Sequence, residues 1–114
     1  MASSNLTAEI IDGPVPTLQV RGELDLSTAP GLCQTVETVA DRGRLLIDLS
    51  ELSFCDSTGL RALVGAVREV EINGGKAALA VPPGGPLDRI LELTGLGEFL
   101  RVARSVEAAR ERLA

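Results

Sequence analysis

Two short apolar runs, residues 45–49 and 77–81, constrain the fold more than any other feature of the chain. Gly43 precedes the first, and Asn73-Gly74-Gly75 and Pro82-Pro83-Gly84-Gly85 bracket the second. Short, nearly continuous apolar runs between turn residues fit strands buried on both faces of a sheet. Between them Leu60, Leu63, Val64, Val67 and Val70 recur at helical spacing, while Arg61, Arg68 and Glu69 fall outside that stripe. A strand, a helix and a second strand in this order imply a right-handed crossover and a parallel pair.

The remaining segments fit around this unit. Residues 6–12 alternate weakly and stop at Gly13-Pro14, and Leu18 and Val20 alternate against Thr17, Gln19 and Arg21. The short connection predicts an antiparallel hairpin at a sheet edge, with Pro16 suited to a strand start. Ser27 or Thr28 is a candidate cap for a first helix, with Pro30 in its first turn. Leu32, Cys33, Val36, Val39 and Ala40 form its apolar stripe and Gly43 is its expected stop. After residue 85, Pro86 opens a short third helix with Leu87, Ile90 and Leu91, which Gly95 and Gly97 close. Residues 98–102 are the expected last strand, and Ser105 caps a final helix carrying Val106, Ala109 and Leu113. The expected order is β-β-α-β-α-β-α-β-α.

With 114 residues and neither repeat nor linker, residues 1–114 are expected to form one domain. The chain lacks histidine, which removes a Ser-His-Asp triad, a histidine-assisted cysteine and a histidine-ligated zinc site from consideration. It has no Trp or Tyr and only Phe54 and Phe99, too few aromatics for a base-stacking platform. Its net charge of -5 also argues against direct binding to nucleic acid. Cys33 and Cys55 have no CxxC spacing and suit a reducing compartment as small apolar residues. The first ten residues lack the features of a signal peptide, and no apolar run approaches the ~20 residues that span a bilayer. The expectation is a cytoplasmic protein with no membrane association, cofactor, metal or catalytic residue. A monomer needs no additional assumption.

The junction Asp56-Ser57-Thr58-Gly59-Leu60 follows a buried strand and opens a helix. One reading is a cap, in which Asp, Ser or Thr accepts a hydrogen bond from a free N–H of the first turn. The other is functional. A hydroxyl beyond the carboxyl end of a parallel strand is exposed to partners, and a helix start tolerates an added anion. Composition and spacing leave both readings open.

Two motifs at this spacing resemble those of the STAS domain family, and within it the bacterial anti-sigma factor antagonists. One is Gly22-Glu23-Leu24-Asp25 followed by Thr28-Ala29-Pro30. The other is Ile47-Asp48-Leu49 followed by Phe54-Cys55-Asp56-Ser57-Thr58-Gly59-Leu60. The resemblance runs from about Leu6 into the last helix. It implies an α/β fold of STAS type: a mixed, mostly parallel sheet of four to five strands, with about four helices packed mainly on one face.

The resemblance also implies a switch by partner exchange. The unphosphorylated protein would bind an anti-sigma factor that is also a serine kinase, and so release the sigma factor. Phosphorylation on Ser57, or alternatively Thr58, would end binding, and a PP2C-type phosphatase would restore it. Asp56, Ser57, Thr58, Gly59 and Leu60 would form the docking surface, with Glu23 and Asp25 close by. STAS domains also serve as subunits of ABC-type lipid transporters, and a constitutive interaction scaffold is a further alternative.

Overall fold

The computed structural model describes residues 5–114. The chain runs β1 (Leu6–Ile11), β2 (Thr17–Leu24), α1 (Ala29–Glu37), β3 (Arg44–Cys55), α2 (Ser57–Ile72), β4 (Lys76–Ala80), α3 (Asp88–Thr94), β5 (Val102–Ala103) and α4 (Val106–Leu113). The strands lie in the order β1-β2-β3-β4-β5. β1 pairs antiparallel with β2, as the Gly13-Pro14 turn predicts, and the other three pairings are parallel.

Alternation in β3 divides the interior. Leu45, Ile47 and Leu49 join a large apolar core with the inward faces of α1 and α2, and with Leu91 of α3. Leu46 points the other way and packs with Ala78, Ala80, Ala109 and Leu113 beneath α4. Three helices therefore cover one face of the sheet, and α4 covers part of the other. The near-continuous apolar character of β3 and β4 follows from burial on both sides.

Several boundaries differ from the sequence expectation: β2 runs on through Leu24 instead of ending at Arg21. β3 continues through Cys55, well past Leu49, because its polar residues Ser50, Glu51 and Ser53 are exposed while Leu52 and Cys55 remain in the core. α1 ends at Glu37, six residues before Gly43, and the chain between them runs through turns. Gly43 has φ +94° and marks the entry to β3 instead. The last strand is two residues, not five, because residues 98–101 form turns in which the Leu100 N–H donates to Leu96 and the Arg101 N–H to Glu98. Ser105 caps α4 as expected, accepting from the Ala108 N–H at 3.1 Å.

The parallel strands bring their carboxyl ends together. At that end Leu24 lies opposite Cys55, and Glu23 opposite Phe54. The turns leaving β2 and β3 are therefore neighbours, and the Asp56 N–H donates to the Leu24 carbonyl at 3.4 Å. Carboxyl ends of parallel strands are where α/β sheets present their functional loops.

Candidate functional site

At the β3–α2 junction the cap is Asp56. Its backbone is extended, and its carboxylate accepts from the Gly59 N–H at 2.8 Å. Ser57 and Thr58 are thus the first two helical residues, not caps. Ser57 is exposed, and its hydroxyl makes no hydrogen bond to a described residue; Thr58 is half-buried. Gly59 and Leu60 are both buried, Leu60 at 6% exposure. Gly59 cannot be replaced without displacement: a Cβ there would lie 2.5 Å from the Leu24 carbonyl oxygen, 2.9 Å from Cys55 Sγ and 3.0 Å from Leu24 Cγ. The glycine of this turn brings α2 hard against the end of β2. Of the five residues, Ser57 is the one that is exposed.

The β2–α1 turn is built on reciprocal hydrogen bonds. Asp25 Oδ1 accepts from the Ser27 N–H and hydroxyl, at 3.0 and 2.8 Å, and from the Thr28 N–H at 3.2 Å. Thr28 Oγ1 accepts from the Asp25 N–H at 2.9 Å and donates to the Glu23 carbonyl at 2.8 Å. This is a capping-box exchange one turn ahead of the regular helix. Thr28, one of the two expected candidates, occupies the N-cap position of α1 but makes no side-chain cap bond to the helix; Asp25 caps the turn before it. The side-chain bond from Ser27, with further bonds from Ser27 and Thr28, holds the Asp25 carboxyl below its ordinary value of 3.8. Asp25 therefore holds the turn in shape, and its accepting oxygen is already committed.

Gly22 allows the chain to enter that turn. Its φ is +103°, and a Cβ would fall 1.9 Å from the Asn5 carbonyl oxygen. The pairing with β3 shifts register between Gly22 and Glu23. Glu23 is left half-buried, with its carboxylate 3.5 Å from the Asn5 amide.

Two residues of this surface escape sequence patterning. Leu26 is 75% exposed at the tip of the β2–α1 turn, and Phe54 is 45% exposed at the end of β3. Phe54 belongs to a quoted motif and Leu26 falls between the two stretches of the other, yet neither has an apolar periodicity that marks it as outward-facing. Cys55, by contrast, lies in the core; burial, then the nearby Asp56 charge, pushes its thiol up to about 11. Such a thiol is a poor nucleophile at neutral pH. Among the described residues no cluster of acidic and cysteine side chains could hold a metal ion. No helix among them is long and apolar enough to cross a membrane.

Comparison with known proteins now bears on this geometry. The family model for the STAS domain matches residues 5–109. The chain belongs to the STAS domain family. This STAS chain is 32% identical over 91 residues to the anti-sigma-B factor antagonist of Bacillus subtilis (strain 168), covering 79% of this chain and 83% of that protein. It is 35% identical over 85 residues to the protein of the same description from Listeria monocytogenes, covering 73% and 74% of the two chains. Among solved structures it is similar to an anti-sigma factor antagonist from Mycobacterium paratuberculosis. That match has a TM-score of 0.85 and 26% identity, over 99% of this chain and 98% of the other. The five-stranded mixed sheet and four helices are thus those of the STAS fold.

Proposed function

We propose that this STAS chain is an anti-sigma factor antagonist, switched by phosphorylation of Ser57. The unphosphorylated form binds an anti-sigma factor with serine kinase activity and so frees the sigma factor. A PP2C-type phosphatase returns the modified form to the active pool. The observation that carries the reading is Ser57 itself: an exposed hydroxyl with no hydrogen bond to a described residue, first in α2 and next to the Asp56 carboxylate. Thr58, half-buried, is the less accessible hydroxyl.

The docking surface on this reading consists of Ser57, Asp56 and Glu23, flanked by the exposed apolar side chains of Leu26 and Phe54. Asp25, Gly59 and Leu60 support it from within. Large apolar side chains in solvent are the usual affinity anchors of an interface. Carboxylates around them favour a partner with basic residues on its matching face.

The switch needs no refolding. A phosphoserine adds about -1.5 to -2 charges. Inside an interface already carrying Asp56, it introduces like-charge repulsion and a desolvation cost. A loss of about 3 kcal/mol weakens binding by about two orders of magnitude. The test is binding to the cognate anti-sigma factor, together with phosphopeptide mapping of protein from its native cells. Ser57→Ala is expected to bind like wild type and to escape inactivation, and Ser57→Asp to bind more weakly. Equal binding of Ser57→Asp and wild type, with Ser57 unmodified in cells under all conditions, would overturn the reading.

A further inference from the structure

The segments that carry the two neighbouring turns are poor in positive charge. Residues 22–41 and 45–60 contain no Lys or Arg, yet they hold Glu23, Asp25, Glu37, Asp41, Asp48, Glu51 and Asp56. The first cation reached along α2 is Arg61, four residues after Ser57. It is exposed and makes no ion pair or hydrogen bond with a described residue. Its neighbours three and four positions away on the helix are Ser57, Thr58, Val64 and Gly65, none of them acidic. Helical side chains lean toward the N-terminus and cover the preceding turn. A long side chain at position 61 therefore lies back over position 57. An anion placed four residues before a cation is also the favourable order for such a pair.

We infer that Arg61 is the intrachain counter-ion of phosphorylated Ser57: it has no partner while Ser57 carries a hydroxyl and gains one when Ser57 carries a phosphate. Arg61 is then a positioning residue of the off state. The guanidinium holds the phosphate against the first turns of α2, where it obstructs the docking surface. The inference rests on the proposed modification of Ser57 and adds the residue that receives it.

The experiment uses the full chain with phosphoserine installed at position 57 by genetic encoding, so that no kinase is required. The phosphate is titrated by phosphorus NMR in the otherwise wild-type protein and in Arg61→Gln and Arg61→Lys. Asp56 adjoins position 57 in the chain, and Glu23 and Asp25 belong to the neighbouring β2–α1 turn; carboxylates near a phosphate raise its second pKa. They are common to the three proteins, so the difference between proteins isolates Arg61. A cation stabilises the dianion and lowers that pKa. Arg61→Gln is expected to raise it by about half a pH unit, and Arg61→Lys to restore most of the difference. The difference should shrink toward zero in 1 M salt, where the screening length is about 3 Å. Superimposable titrations of wild type and Arg61→Gln at low salt would overturn the inference. So would a shift that Arg61→Lys fails to restore. Absence of phosphate on Ser57 in native cells would instead overturn the proposed switch, leaving the measured pairing intact.

Discussion

Gly59 and Gly65 lie in the same helix, α2, and the same substitution is expected to act on them with opposite sign. At Gly65 an added Cβ meets nothing within 4 Å. Alanine is the better helix former by about 1 kcal/mol in a helix interior, so Gly65→Ala should stabilise by about 0.5–1 kcal/mol. At Gly59 the new carbon would sit 2.5 Å from the Leu24 carbonyl oxygen, where an ordinary contact is 3.4 Å or more. Backbone of β2 or the start of α2 must then move by about 1 Å. Overpacking of this kind costs about 1–3 kcal/mol, and the gain in helix propensity offsets only part of it. The expected net loss for Gly59→Ala is about 1–2 kcal/mol, a fall of roughly 5–10 °C in Tm. Urea unfolding followed by circular dichroism measures both variants against wild type. The refuting result is a Gly59→Ala protein as stable as Gly65→Ala, since the two share chemistry and helix and differ in what the Cβ meets. Adding Cys55→Ala removes the 2.9 Å contact but not the 2.5 Å one, so it should relieve Gly59→Ala only partly.

Other outcomes follow from the same geometry. Asp56→Ala loses the side-chain bond to the Gly59 N–H and should cost about 1 kcal/mol in urea unfolding, with Asp56→Asn costing less. Asp25 has a folded-state pKa below its ordinary 3.8, so its contribution to stability is present above that value and is lost as pH falls through the depressed one. Asp25→Ala should therefore be less stable than wild type at neutral pH and show a shallower loss of stability below about pH 4, measured by thermal unfolding across pH. Cys33 is half-buried and Cys55 is buried with its thiol raised to about 11, so a thiol reagent at pH 8 should modify Cys33 in the native protein and reach Cys55 only after denaturation.

The central architecture was legible in the sequence because burial on both faces leaves a distinctive mark. Residues 45–49, apolar except for Asp48, and residues 77–80 lie in parallel strands under helices. The Gly13-Pro14 turn gave the antiparallel edge, and Ser105 gave its cap. Local patterning lost information where tertiary contacts decide. The outer half of β3 has exposed Ser50, Glu51 and Ser53, so its composition resembles a loop although its backbone goes on pairing with β2 through two register shifts. Thr28 stands at the cap position of α1, but the capping bonds come from Asp25 one turn before the regular helix, through an exchange with Thr28 that spacing alone does not specify. At the candidate site, Ser57 was visible as part of a motif. That Gly59 and Leu60 face inward while Leu26 and Phe54 face outward depends on how two neighbouring turns pack, which only the fold determines.

That division matters for how such a switch works. The residues that make the motif recognisable are largely those that build the site: Gly22 admits the turn, Asp25 and Thr28 brace it, Asp56 caps α2, and Gly59 seats α2 on β2. Their substitution should lower stability along with any binding. Leu26 has little to lose on the folding side, Phe54 somewhat more because over half of its surface is covered, and Arg61 lies beyond the turn on an exposed helical position. On the proposed reading, changes at these three positions alter what docks, or how the modified state is held, with less effect on the scaffold. Burial of an exposed Leu or Phe side chain contributes about 1.5–3 kcal/mol, comparable to the roughly 3 kcal/mol required of the phosphate. On the proposed reading, a charge on Ser57 offsets about the contribution of one such side chain. A surface of this kind can bind in one state and release in the other with the same backbone.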